Sequence, residues 1–345
     1  MQYTTLGKTG LVVSRLILGT ANFGTGMSHG IDHPVDQEMA TKLVSQAMEA
    51  GINVFDTSNV YGLGLAEEFL GRALGSRRKE VIIATKIGRR TSNALIDAGL
   101  SFRNVIVSTE ASLKRLGTDY IDLLQLHVAD PVTPFEETAR ALEYLLQHGL
   151  VRYVGYSNFS GWQADRFLAI QQQHHYASFV CGQMSYSLLN RGIEHEIVPF
   201  SQHTGLGLLT YSPLAGGLLS GKYTRENPTG TVDGRAGRLA AFETLSADRE
   251  TSNPVVEKLC AIAAHHEATP SQIALAWVLA KPFVTSVILG ARNPQQFSAN
   301  VKASDLHLSQ EEVNELDTIT ALEPLYPYTL HKNSRDHMID QALRR

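Results

Sequence analysis

Short apolar runs rich in Val, Ile and Leu alternate along the chain with longer stretches whose apolar positions recur every three or four residues. The runs are RLILGT (15–20), NVFDTS (53–58), VIIATK (81–86), YIDLLQLH (120–127), RYVGYS (152–157), SFVCGQMSY (178–186), GLLTYSP (207–213) and SVILGA (286–291), which makes eight expected strands. They are continuously apolar more than strictly alternating, the pattern of parallel strands covered on both faces. Helical periodicity fills the intervals. In 36–50, Met39, Leu43, Ala47 and Ala50 share a face and Gly51 supplies a stop. The segment 103–116 closes at Gly117. The segment 134–148 takes Thr133 as its cap, Pro134 in its first turn and Glu136 and Glu137 nearby, and ends at Gly149. Further helices are expected over 254–266, 270–280, near 294–302 and near 309–320.

Eight strands with intervening helices predict an α/β fold, a closed (β/α)8 TIM barrel; an open doubly wound sheet is the alternative. The ends depart from the repeat. TTLGKTGLVVS (4–14) reads as an N-terminal β-hairpin around Gly7–Gly10 that plugs the barrel bottom. The stretch 214–253 is Gly-rich and weakly patterned, a long loop of the length usually kept for function. Beyond the last strand come extra C-terminal helices and a polar tail, 321–345. No segment reads as a linker, so residues 1–345 are expected to form one barrel domain, a length such barrels reach.

Composition narrows the class of protein. The formal net charge is -4 and no basic run offsets it, which argues against a nucleic-acid or anionic-membrane partner. Arg77–Lys79 and Arg344–Arg345 are read as solvated surface. The two cysteines, Cys181 and Cys260, lie in apolar surroundings and are expected to be buried structural thiols. With no disulfide framework, no signal peptide in MQYTTLGKTG and no apolar stretch long enough to span a bilayer, a reduced, cytoplasmic location is expected.

In a barrel, chemistry sits where strands end and βα loops begin. Asp56 ends one apolar strand, with Tyr61 five residues further on; Lys86 ends the next, and His127 the one after. Any one such charge is as well explained by the chain reaching water, but all of them on successive strands fit one reaction. Reducing a carbonyl by hydride transfer makes an alkoxide that needs a proton. A phenol can give it, and a neighbouring ammonium brings its pKa of about 10 toward working pH. Lys86 supplies that cation, Asp56 holds it, and His127 hydrogen-bonds the carbonyl oxygen. No metal is required. His174, His175, His265 and His266 lie at expected helix ends without a ligand partner at metal-binding spacing. Trp277 is read as core packing, and Phe23, just after the first strand, as a pocket wall that otherwise packs.

FDTSNVYG, TK after a strand and QLH after the next resemble the catalytic motifs of the aldo-keto reductase superfamily, in the right order, with likeness running from about residue 2 to residue 320. The resemblance implies a catalytic tetrad of Asp56, Tyr61, Lys86 and His127, with Tyr61 as general acid–base, reducing an aldehyde or ketone with NADPH. It also covers the potassium-channel β-subunits, so a regulatory cofactor-binding protein is a second reading; the complete tetrad favours catalysis. A lyase with a Schiff base on Lys86 is a third, and leaves the adenosine-type motif described next unexplained.

No G-x-G-x-x-G opens a βα unit, so a Rossmann-type cofactor site is not indicated. The resemblance instead implies an extended cofactor across the barrel mouth, reached by Gly19, Thr20 and Ala21 after the first strand and by Asp56. Ser157, Asn158 and Gln183 would hold the carboxamide, Tyr211 would stack on the ring, and Ser212, Pro213, Leu214 and Gly216, with Lys222, would wrap the pyrophosphate. Gly290, Ala291, Arg292, Gln296 and Asn300 would take the adenosine end. That last motif also has a direct reading: Asn293 and Pro294 look like an N-cap and first helical residue, a helix start attracts phosphate, and Arg292 beside it offers a fork for a 2′-phosphate. Gln296 and Asn300 are one helical step apart. Two positions depart from relatives: Ala299 stands where an acidic residue is frequent, and Val128, after His127, is small and apolar, which widens the pocket. Phe23, Tyr61, His127 and Val128 are thus the expected substrate contacts. The substrate's identity and the oligomeric state are not readable.

Overall fold

The computed structural model describes residues 1–28, 31–222, 249–331 and 336–343. The chain opens with the expected hairpin, β1 (Tyr3–Thr5) paired antiparallel with β2 (Val12–Ser14). Gly7 at its turn has φ of 56°, and a Cβ there would lie 2.6 Å from the Val180 carbonyl oxygen, so the hairpin sits tight against the barrel floor. Next come β3 (Leu16–Gly19) and a short antiparallel pair, β4 (Met27–Ser28) with β5 (Ile31–Asp32). Then follow β6 (Val54–Asp56), β7 (Ile82–Ile87), β8 (Ile121–Leu126), β9 (Val151–Ser157), β10 (Cys181–Ser185), β11 (Gly207–Tyr211) and β12 (Ser286–Gly290). β3 and β6 to β12 pair in parallel, neighbour to neighbour in chain order, and β12 closes on β3 with Gly290 opposite Gly19. The chain is a closed eight-stranded (β/α)8 barrel with an N-terminal hairpin.

Helices cover the outside: α1 (Gln37–Glu49), α2 (Leu65–Leu74), α3 (Phe102–Leu116), α4 (Phe135–Gln147), α5 (Gly161–Gln173), α6 (Ile197–Thr204), α7 (Arg249–His265), α8 (Pro270–Leu279), α9 (Pro294–Val301) and α10 (Gln310–Ile319). Asp36 caps α1 by accepting from the Met39 amide, and Gly117 ends α3 in a left-handed turn. α2, α5 and α6 are additions to the helices expected from sequence. α5 carries its own start signal, a capping box between Ser160 and Gln163, and α6 holds Pro199 in its first turn.

The two faces of each strand pack differently. Leu16, Leu18, Phe55, Ile83, Leu124, Val154 and Val287 point outward into the large core shared with the helices. Ile17, Val54, Ala84, Leu123, Cys181, Leu209 and Ile288 point inward and, with Leu6 and Val13 of the hairpin, fill the lower lumen. Because both faces are buried, the strands read as unbroken apolar runs. Each Leu, Ile, Val or Phe among them contributes roughly 1.5–3 kcal/mol through burial.

Several local expectations are corrected. Helix α4 begins after Pro134, while the Thr133 hydroxyl donates to Asp130 instead of capping the helix. Helix α7 begins at Arg249, so Pro254 lies inside it, and the loop expected over 214–253 stops short of its expected end. Its beginning is a tight turn, Ala215–Ser220, and 223–248 lie outside the described residues. The tail contains two short helical segments, Tyr328–His331 and His337–Ala342, with Leu330, Met338 and Ile339 exposed. Arg78 is buried, donating to Asp122, Thr118 and the carbonyls of Val81 and Tyr120, and so pins the turn after α2 to β8 instead of being solvated; Arg344 and Arg345 lie outside the described residues. Cys181 is buried as expected, whereas Cys260 is exposed on α7.

Candidate active site

Two residues beyond the inward apolar positions, the same face of each strand turns polar or small. Val54 gives way to Asp56, Ala84 to Lys86, Leu123 to Gln125 and then His127, Cys181 to Gln183, and Leu209 to Tyr211. The period of two that packs the floor therefore delivers the chemistry to the C-terminal mouth.

Lys86 is the hub. Its ammonium donates to Asp56 Oδ1 at 2.6 Å, to the Thr57 carbonyl at 2.9 Å and to Tyr61 Oη at 3.4 Å. Lys86 is 1% exposed and Asp56 3%, so the ion pair is dry. Gln183, across the lumen, donates to Asp56 Oδ2 at 2.8 Å and to Gln125 Oε1 at 3.4 Å, and so holds the carboxylate from the far side. The loop carrying Tyr61 is stitched to β7 by Thr57 N–H to the Ala84 carbonyl and Asn59 N–H to the Lys86 carbonyl. Gly62 must be glycine: φ is 54° and a Cβ would come within 2.7 Å of the Phe23 carbonyl oxygen.

His127 stands edge-on to Tyr61, ring centroids 5.9 Å apart. Its Nδ1 lies 3.1 Å from Ser58 Oγ, and its carbonyl accepts from Asn158 Nδ2. Burial first, then the charges of Lys86 and Arg89, hold its imidazole well below the usual histidine range, so it is neutral near pH 7. At Lys86 burial works against the charge, but Asp56 and Tyr61 outweigh it and the pKa rises. Burial pushes the Tyr61 phenol up, and Lys86 draws it back only in part. The net direction is upward, against the expectation that the ammonium brings the phenol toward neutral pH. Tyr61 is a protonated phenol beside a permanent cation.

The other expected residues line the rim. Ser157 Oγ donates to the Gln183 carbonyl; Asn158, at φ of 56°, accepts from the Tyr211 hydroxyl at 2.8 Å. Tyr211 and Val128 are half-buried at the mouth. Thr20 is fully buried with a hydroxyl that finds no partner, beside half-buried Ala21 and buried Gly19. Ser212 and Gly216 take positive φ in the turn after β11, Pro213 is buried, Leu214 packs on the core, and Lys222 is exposed. Gly290 is exposed. Asn293 caps α9 through the Gln296 amide, with Pro294 as the first residue. The Gln296 carboxamide turns back to accept from the Arg292 N–H, Arg292 is half-buried and Asn300 buried. Two expected contacts lie elsewhere: Phe23 is 0% exposed inside the core, one layer behind the wall, and the Ala291 methyl is in the core, leaving only its backbone for the mouth. Ser58, Thr57 and Gln125 were not singled out from sequence; Ser58 was legible as the residue two after Asp56, sharing its parity along the strand.

The model of the aldo/keto reductase family matches residues 15–321. The chain belongs to the aldo/keto reductase family. It is accordingly an oxidoreductase working with a nicotinamide cofactor, NAD(P)H, on carbonyl and CH–OH groups. The oxidoreductase YrpG of Bacillus subtilis is 37% identical over 330 residues, covering 92% of this chain and 96% of that protein. A probable voltage-gated potassium channel subunit beta of Oryza sativa subsp. japonica is 35% identical over 335 residues, covering 94% and 98%. The aldo-keto reductase YhdN of Bacillus subtilis is 31% identical over 348 residues, covering 98% and 100%. Among the described residues of this aldo/keto reductase, no helix is long and apolar enough to cross a membrane, and no group of three metal-ligating side chains occurs.

Proposed function

We propose that this chain is an NADPH-dependent reductase of an aldehyde or ketone, with Tyr61 as the general acid, acting as one barrel domain on a small-molecule carbonyl. The observation that carries this reading is the Tyr61 hydroxyl 3.4 Å from an ammonium locked 2.6 Å from Asp56, with a neutral imidazole edge-on to the same phenol. A neutral phenol is the form that can give up a proton, and the fixed charge of Lys86 stabilises the phenolate left behind. The His127 tautomer that accepts from Ser58 Oγ at Nδ1 carries its proton on Nε2, and that is the form that can hydrogen-bond a carbonyl oxygen. Lys86 itself is a poor Schiff-base nucleophile, because Asp56 keeps it protonated, which weighs against the lyase reading.

The residues present fit a nicotinamide cofactor: a half-exposed Tyr211 ring whose hydroxyl is tied to Asn158, an unpartnered buried Thr20 hydroxyl nearby on the first strand end, and a turn of positive-φ residues after β11. Asn158 and Gln183 would hold the carboxamide, Ser212 to Gly216 with Lys222 the diphosphate, and Arg292 the 2′-phosphate. Bound there, the reduced ring supplies the hydride.

Replacing Tyr61 by Phe removes one hydroxyl and leaves the packing. Turnover of a good substrate is expected to fall at least about 100-fold, with cofactor affinity, read by fluorescence quenching, unchanged. Near-normal turnover in Tyr61→Phe would move the proton to His127 or water and overturn the assignment.

A further inference from the structure

Two arginines follow β7 and behave in opposite ways. Arg90 is spent inside its own loop, donating to the carbonyls of Ser92 and Ala94. That loop is a closed unit. Gly99 N–H bonds the Gly88 carbonyl, Asp130 accepts from Leu100 N–H, Asn104 Nδ2 donates to the Gly99 carbonyl, and Ser92 donates to Asp97. Arg89, the first residue after Gly88 and three after Lys86, is exposed and takes part in none of these bonds. Among the described residues no ion pair involves it. The acids of this loop and the next, Asp97 and Asp130, have partners of their own: Asp130 accepts from Leu100, Val132 and Thr133, and Asp97 from Ser92.

Its place just past the C-terminal end of β7, three residues after Lys86, puts it at the mouth end of the barrel, and its charge acts on Tyr61, His127 and Tyr211. Inside the mouth the Lys86 charge is already matched by Asp56, and His127 is neutral. Among the described residues on this side of the site, Arg89 is therefore a cation that no ion pair matches. It stands on a rigid loop, on the strand next to Tyr61's own, away from the β12 end where Arg292 lies.

Resting on the reductase reading above, we propose that Arg89 selects the substrate: the carbonyl compound reduced here carries an anionic group, carboxylate or phosphate, that pairs with Arg89 while its carbonyl faces Tyr61 and His127. Arg89 touches a part of the substrate that does not react, so it contributes equally to ground and transition states. Its removal should raise KM and leave kcat alone.

The test compares 4-carboxybenzaldehyde with its neutral methyl ester, and glyceraldehyde 3-phosphate with glyceraldehyde, in wild type, Arg89→Ala and Arg89→Lys. Arg89→Ala is expected to raise KM for the anionic member of the favoured pair by about tenfold, the lower end for a charge-assisted bond. KM for the neutral member and kcat for both should stay within about twofold, and Arg89→Lys should recover part of the loss. Which pair responds tells carboxylate from phosphate. An anionic-to-neutral KM ratio unchanged by Arg89→Ala in both pairs overturns the proposal. If no carbonyl is turned over by the wild type, the reductase reading fails separately. Titration calorimetry of 4-carboxybenzaldehyde and of glyceraldehyde 3-phosphate then decides Arg89 by itself: weaker binding of either to Arg89→Ala supports it, and equal binding of both refutes it.

Discussion

Asp56 and Lys86 form an ion pair with almost no access to water, and its disruption has a size that the structure sets. The pair spans 2.6 Å between side chains 1% and 5% exposed. Asp56→Asn preserves shape but removes the charge that outweighs burial at Lys86. Lys86→Met leaves the Asp56 carboxylate with the Gln183 amide at 2.8 Å as its remaining side-chain donor. Stranding one member of a buried pair costs about 3–5 kcal/mol, whereas a neutral pair of similar volume strands nothing. Each single variant is therefore expected to lose about 3–5 kcal/mol in urea denaturation at pH 7, and the double variant no more than either one. The coupling in the cycle is then about 3 kcal/mol or larger. Activity should behave differently, falling at least about 100-fold in Lys86→Met and in the double variant, which lack the cation beside the phenol, and less in Asp56→Asn, which keeps Lys86 but loses the carboxylate that holds it. The sign of the pH dependence follows from Lys86. Its folded pKa is raised, so its contribution is fully present below about 10.4 and is lost as the pH rises through the folded value. The stability difference between each single variant and wild type should therefore be flat through pH 6–9 and shrink only at more alkaline pH. Strictly additive losses, or single-variant losses under about 1 kcal/mol, would refute the dry ion pair.

Three further outcomes are expected. Arg292→Ala should weaken NADPH roughly tenfold to a hundredfold and leave NADH nearly unchanged; equal losses in a binding titration would remove Arg292 from the 2′-phosphate. Ser58→Ala should lower kcat/KM by roughly twofold to tenfold through a lost bond to His127 Nδ1, with the tautomer shift read by imidazole nitrogen NMR. The His127 pKa is depressed in the folded state, so the unfolded chain takes up its proton first on acidification, and stability is lost as the pH falls below about 6.5. His127→Gln should flatten the fall in stability between pH 6.5 and pH 5 relative to wild type, by at most about 1.4 kcal/mol per pH unit; identical slopes would contradict a buried neutral imidazole.

The barrel was legible because burial on both strand faces leaves a mark that needs no partner to be read, eight apolar runs broken by Gly-capped helices. That Asp56, Lys86 and His127 close successive strands was legible for the related reason that a charged residue ending such a run is conspicuous. Helix α5 went unread although Ser160 and Gln163 announce it, and α7 was entered late because Pro254 looks like a first residue when it lies inside a longer helix. Arg78 misled because a basic triplet looks solvated until Asp122 and three further acceptors close around one member of it. Phe23 misled through proximity in sequence: it follows a strand end, yet it bridges to Val35 and turns into the core.

What the sequence could not carry is the sense of a pKa shift, since that depends on which of two opposed effects is larger. A phenol near an ammonium suggests acidification, and the same barrel that brings Lys86 to Tyr61 also strips water from both. Burial penalises the phenolate more than Lys86 favours it, partly because Asp56 stands behind Lys86 and cancels much of its field. Burial, with a smaller contribution from Asp56, is thus what keeps Tyr61 protonated. For the proposed reduction this is the useful outcome: a protonated phenol is the form that would donate, and the cation would count when negative charge develops on the phenol oxygen in the transition state. The geometry of one strand face, apolar below and charged two residues above, therefore sets the protonation of the group that the proposed reduction would use.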